Sequence, residues 1–78
     1  MWFSVVRERD GDNCALCSKP LDFTITDSND PMFVTVDHII PRSAGGQDEF
    51  ENFQHAHKGC NYLKDSSNNA DAVRKISA

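Results

Sequence analysis

The sequence predicts a small α+β fold, an antiparallel hairpin packed against helices and stapled by a structural metal ion. Three observations carry that expectation. Phe33-Val34-Thr35-Val36 is a β-branched run bounded by Pro31 and Pro41, which reads as a strand. Beyond Gly45-Gly46, Phe50 to Ala56 reads as a second short strand pairing with the first, and His57 to Lys64 as a helix. Two pairs of soft metal ligands, Cys14-Ala15-Leu16-Cys17 and His57-Lys58-Gly59-Cys60, stand 39 residues apart.

The remaining elements are short. Trp2 to Arg9 forms a helix or a strand and is closed by a turn at Asp10-Gly11-Asp12-Asn13. Cys14 to Pro20 holds a tight turn around the first ligand pair, and Thr24 to Pro31, rich in Asp, Asn and Ser, is a loop. Asp71 to Ile76 is a last helical stretch with Val73 and Ile76 on one face. The chain has no internal repeat and no low-complexity segment.

At 78 residues and 38% hydrophobic content, the chain is expected to hold one domain, residues 1–78, whose apolar core alone gives little stability. It has no run of about 18 apolar residues, which excludes a transmembrane helix. The stretch before Arg7 lacks the basic flank of a secretory signal, so a cytoplasmic setting is expected. Three cysteines are an odd number, and in that setting reduced thiols and metal ligation are the better reading. A net charge of −4 argues against a free-standing nucleic-acid-binding module, because phosphate neutralisation by Lys and Arg supplies most of such affinity. An acidic chain can still meet phosphate through a bound cation.

Tetrahedral zinc takes four ligands of this type, and two-residue spacers let a tight turn aim both donors of a pair at one ion. Gly59 is expected to give the second turn an unusual backbone angle. Closing the long intervening loop through Zn²⁺ supplies stability that the thin core lacks. His57 has the matching spacing, and His55, two residues earlier, is the competing ligand.

A second cluster runs through Asp37-His38-Ile39-Ile40-Pro41-Arg42, Gly45-Gly46, Asn52 and Cys60-Asn61. Hydrolysis of a phosphodiester needs a base near neutral pKa, which imidazole provides. It also needs a hard divalent cation on oxygen ligands, such as a carboxylate and an amide carbonyl. A further amide can hold the imidazole in its productive orientation. Asp37, His38, Asn52 and Asn61 supply those types, and a hairpin followed by a helix brings them together. In a regular strand Asp37 and His38 face opposite sides, so the strand is expected to end or bend at this dipeptide. Arg42 and Lys64 are the cations nearest the cluster in sequence and the candidates for substrate phosphate. Tyr62 and Leu63 are expected to pack the helix on the hairpin. Asp48-Glu49-Glu51 would repel DNA or mark a protein-contact edge.

From Arg9 to Lys64 the sequence resembles the HNH endonuclease family, whose core is the ββα-metal fold. The matching pieces are the Cys14/Cys17 knuckle, Asp37-His38-Ile39-Ile40-Pro41, Gly45-Gly46, Glu51-Asn52, and Cys60-Asn61 with Lys64. The resemblance implies that His38 is the general base, that Asp37 binds a catalytic Mg²⁺, Mn²⁺ or Ni²⁺, and that Asn52 positions His38. Asn61 falls at the family's final letter and would be a metal-binding amide, giving a His-Asn-Asn variant. The family's knuckle commonly has four cysteines, and His57 would replace the third.

The expected function is a divalent-metal-dependent DNA endonuclease whose products carry 5′ phosphate and 3′ hydroxyl ends. A monomer would nick, and double-strand cleavage would need a dimer or a second event. The acidic surface suggests that affinity comes from elsewhere. Small free-standing members of this family occur in bacteriophages beside the packaging terminase, which makes terminase subunits the expected partners within a bacterial host cell, with no membrane involved. The rivals are a non-catalytic zinc-stabilised binding or adaptor module, an RNA-directed nuclease and, more weakly, a toxin domain.

Overall fold

The computed structural model of the protein describes residues 2–77. In chain order the elements are α1 (Trp2–Asp10), β1 (Val34–His38), β2 (Phe53–His57), α2 (Lys58–Lys64) and α3 (Asn69–Ser77), with short 3-10 turns at Arg42–Ala44 and Phe50–Asn52. The predicted α+β architecture is present: β1 and β2 pair antiparallel, from Val34 opposite His57 to His38 opposite Phe53. Among the described residues no helix is long and apolar enough to cross a membrane.

Alternate side chains of a strand take opposite faces, so register decides what each one meets. On one face Thr35, Asp37 and Gln54 bond to Asn61 and Lys64 of α2 and to Asn69 of α3. On the other, the His55 ring lies 4.4 Å from the ring of Phe3 in α1. With helices on both sides, all five residues of β2 are buried. That burial is why Phe53–His57 carries no polar–apolar alternation to read. The apolar core gathers Leu16, Leu21, Val34, Ala56 and Ala72 around Cys14, with Cys17, Phe23, Cys60 and Ile76 packed against it.

Trp2–Asp10 resolves as a helix, ended where the Gly11 N–H closes on the Arg7 carbonyl at 2.8 Å. Arg9 ties its end to the hairpin, donating to the carbonyls of Phe50 and Phe53 while its guanidinium lies over the Phe50 ring. The structure corrects four local expectations. β2 starts at Phe53, because Phe50–Asn52 forms a 3-10 turn first. α3 buries Ala72, with Ile76 packed against the core, and leaves Val73 exposed. Gly59 is helical and eases a close approach: its N–H donates to the Pro31 carbonyl, and a Cβ would make a tight contact, 3.3 Å from that oxygen. Tyr62 is 82% exposed and Leu63 48%, so neither packs α2 on the hairpin.

That packing falls to Lys64. Its side chain is 1% exposed, and its ammonium donates to Asp37 Oδ2 at 2.8 Å, to the His38 carbonyl and to the Ile39 carbonyl at 3.5 Å. This buried pair locks the last turn of α2 onto the end of β1. Truncating one partner leaves an uncompensated charge inside the protein, so Lys64→Ala is expected to cost about 3–5 kcal/mol in urea unfolding. A midpoint unchanged from wild type would show that the pair contributes nothing.

His55 presents the opposite case. It is buried between Phe3 and Phe23, and neither ring nitrogen has a hydrogen-bond partner among the described residues. Burial holds its imidazole below the ordinary histidine range. The folded chain therefore resists a proton that the unfolded chain accepts. The resulting stability is present above the unfolded value of about 6.5 and is lost as pH falls through the folded one. His55→Leu removes both unpaired nitrogens and is expected to stabilise by about 1–3 kcal/mol at pH 7, with a larger gain at pH 5. Denaturant titrations at the two pH values check both parts.

Candidate active site and metal centre

At one end of the hairpin, the donor atoms of Cys14, Cys17, His57 and Cys60 all lie within 4.8 Å of one another. Four ligands about 2.0–2.3 Å from one tetrahedral zinc stand about 3–4 Å apart, so the donor set and its spacing fit that ion. Local backbone builds the first pair. Ser18 takes a φ of 66°, its N–H donates to the Cys14 carbonyl at 3.0 Å, and the Leu16 N–H points at Cys14 Sγ at 3.4 Å. The second pair arises because α2 begins at the residue after His57, which places Cys60 in its first turn.

His57 is oriented by its surroundings. Its Nε2 lies 3.2 Å from the Pro20 carbonyl, which can only accept, so Nε2 carries the proton. Nδ1 then turns its lone pair toward Cys17 Sγ at 3.4 Å and Cys60 Sγ at 3.9 Å. Burial, together with the neighbouring Cys14 and Cys17, pushes the Cys60 thiol up to about 12. Burial acts in the same sense on Cys14, but backbone hydrogen bonds from Cys17, His57 and Leu16 outweigh it and hold that thiol below its usual value. Thiols crowded this closely ionise together only against a cation. The competing His55 lies outside the cluster, packed under α1.

The other end of the hairpin carries the second predicted cluster. β1 ends at His38, as expected of this dipeptide, but it stays paired through both residues, so the two side chains take opposite faces. Both nevertheless line one cavity of about 230 Å³, together with Arg42, Ser43, Lys64 and Asp65. Asp37 is held by Lys64 and by Gln54 Nε2 at 2.9 Å, both on Oδ2. The His38 ring is 24% exposed, stands edge-on to Phe53 at 5.2 Å, and places Nε2 2.6 Å from Asp48 Oδ1. Asp48 also receives Arg42, with Nη2 2.8 Å from Oδ2 and Nε 3.2 Å from Oδ1. These contacts, His38 first, hold the Asp48 carboxyl below its ordinary range.

Three predicted roles do not match this geometry. Asn52 makes no hydrogen bond to the imidazole. It clasps the connecting loop instead, accepting from Ile40 N at 2.8 Å and donating to the carbonyls of Ile40 and Gln47. Gly46 passes so close beneath that a Cβ would fall 1.8 Å from the Ile40 oxygen. Lys64 is buried against Asp37 and not offered to a phosphate, and Arg42 is engaged by Asp48. Asn61 is not brought to Asp37: it donates to Thr35 Oγ1 at 3.2 Å and lines a separate groove with Tyr62 and Lys75. Asp37 and Asn61 therefore line different cavities. An ion on Asp37 Oδ2 would need Lys64 to leave it.

Two residues of the site were missed in the sequence. Gln54 becomes visible once the register is known, since it is the cross-strand partner of Asp37. Asp48 lies in the loop that must return past His38 for Asn52 to pair with Ile39, a placement that marks it as a neighbour of the ring.

No curated protein matches the chain. The profile of the HNH endonuclease family matches residues 14–67. The match opens at the first thiol of the cluster and closes just past Lys64, taking in the knuckle, both strands and α2. The chain belongs to the HNH endonuclease family.

Proposed function

We propose that this protein is a DNA endonuclease in which His38 activates the attacking water. The observation that carries the reading is the state of that ring: it borders a cavity, its Nε2 is engaged by a carboxylate, and its Nδ1 makes no hydrogen bond to the described residues. An imidazole with one nitrogen fixed and the other open suits general-base work. The water proton passes to Nδ1 of His38, the hydroxide oxygen bonds to phosphorus, and the bond to the 3′ oxygen breaks. The departing oxygen takes a proton from solvent, leaving 5′ phosphate and 3′ hydroxyl ends.

HNH nucleases use divalent metals, so Mg²⁺, Mn²⁺ and Ni²⁺ are the ions to supply in turn. Cys14, Cys17, His57 and Cys60 would hold a structural Zn²⁺. The net charge of −4 leaves little general attraction to DNA, which favours a partner that delivers the substrate. A phage packaging terminase inside the bacterial host is the partner we favour, with this chain as a monomer or weak dimer that nicks one strand per event. The Asp37–Lys64 pair favours a second reading, a zinc-stabilised adaptor without catalysis, because it occupies Oδ2 of the carboxylate that an ion would use.

One plasmid assay separates these readings. Wild type is expected to nick supercoiled DNA only with added divalent ion, and His38→Ala to lose about 10²–10⁴-fold in rate while keeping its fold by circular dichroism. Absence of nicking by wild type with every ion would favour the adaptor, and equal nicking by both proteins would dismiss His38. Elemental analysis is expected to find one zinc per chain. Cys17→Ser or prolonged chelation is expected to unfold the protein, as in other small domains whose metal-binding energy is folding energy. A chelated protein with an unchanged melting curve would rule out the staple.

A further inference from the structure

The hydrogen-bond partner of His38 is a side chain that the sequence pattern does not assign. Asp48 sits in the connection between β1 and β2, with Oδ1 2.6 Å from His38 Nε2. A carboxylate only accepts, so Nε2 must be the protonated nitrogen. The carboxylate is itself oriented by the Arg42 guanidinium, whose Nη2 reaches both oxygens, at 3.0 and 2.8 Å. Such a fork fixes the plane of the carboxylate as well as its position. The loop backbone beneath it is fixed in turn by the Asn52 amide, which bonds to Ile40 on one side and Gln47, the residue before Asp48, on the other. Phe53 stands edge-on to the ring as its cross-strand neighbour.

We infer that Asp48 is a positioning residue for His38, holding the imidazole as the Nε2–H tautomer so that Nδ1 is the nitrogen that accepts a proton from water. The inference rests on the reading of His38 as general base. It gives Arg42 a different part from the phosphate contact expected of it: the guanidinium anchors the carboxylate that orients the base. It also gives an acidic residue a task beside a site that must admit phosphate. The carboxylate that fixes the ring stabilises the imidazolium formed when water is deprotonated.

The test uses the full-length zinc-loaded chain, supercoiled plasmid and Mn²⁺, with wild type, His38→Ala, Asp48→Ala and Asp48→Glu. Asp48→Ala is expected to lower kcat about 10- to 100-fold. KM is expected to stay within about twofold of wild type, since the lost interaction acts on the base and not on substrate binding. Asp48→Glu is expected to recover much of the rate. Nitrogen-15 correlation spectra of the imidazoles, assigned with His38→Gln, are expected to show the proton of His38 on Nε2 in wild type and a tautomer mixture in Asp48→Ala. A merely structural role would not move that signature.

Nicking that depends on His38 but not on Asp48 overturns this inference alone. So does a proton on Nδ1 in wild type. A lower KM and faster nicking by Asp48→Ala also overturns it, because the carboxylate would then be blocking the place of the phosphate. Undiminished nicking by His38→Ala removes the parent reading, and this one with it.

Discussion

The register of one hairpin, with two five-residue strands, decides which side chains meet in this protein. Pairing His38 with Phe53 and Asp37 with Gln54 sends the imidazole toward the connecting loop and the carboxylate toward α2. A slip of one residue would reverse both, since strand side chains alternate strictly. The hairpin is short, so its register is held from outside. Asn52 clasps the loop at one end, Lys64 bonds to Asp37 and the His38 carbonyl, and the ligand cluster closes the far end at His57.

The rings of His57 and His38 are held by the same device. In His57, a backbone carbonyl takes the Nε2 proton and leaves Nδ1 facing two thiols. In His38, a carboxylate takes it and leaves Nδ1 without a protein partner among the described residues. The difference in acceptor matters. A neutral carbonyl favours a neutral ring, whereas a negative partner stabilises a charged one, the property the proposed role of His38 would use. Among the described residues His55 has no acceptor, and it is buried between aromatic rings.

Much of this arrangement was legible in the sequence, and what was not has physical reasons. The ligand quartet could be read because metal geometry imposes local spacing, and β1 because β-branched residues and flanking prolines mark it. The family could be read from Asp37-His38, Asn52 and Asn61 in order. The partners of those residues could not, because they depend on register and on helix phase. Lys64 looks in sequence like any terminal lysine of a helix, and only its position one turn after Cys60 turns it inward. Asp48 looked like part of a repulsive acidic stretch, because nothing local distinguishes a carboxylate facing solvent from one facing a ring across a loop. Val73 was misplaced on α3 for a related reason: a nine-residue helix with few apolar positions leaves its inward phase to be decided by Ala72.

The join between β2 and α2 contains no spare residue. His57 ends the strand and serves as the N-cap of the helix, Cys60 lies in the first turn, and Lys64 follows Cys60 by four positions on the same helical face. The pitch and azimuth of α2 are therefore set at the sulfur-rich end and transmitted through a single turn to the cavity. A disturbance at the ligand cluster is therefore felt at the Lys64 end of α2, where the ammonium meets the end of β1. In so small a protein, anchor and workplace are mechanically one part.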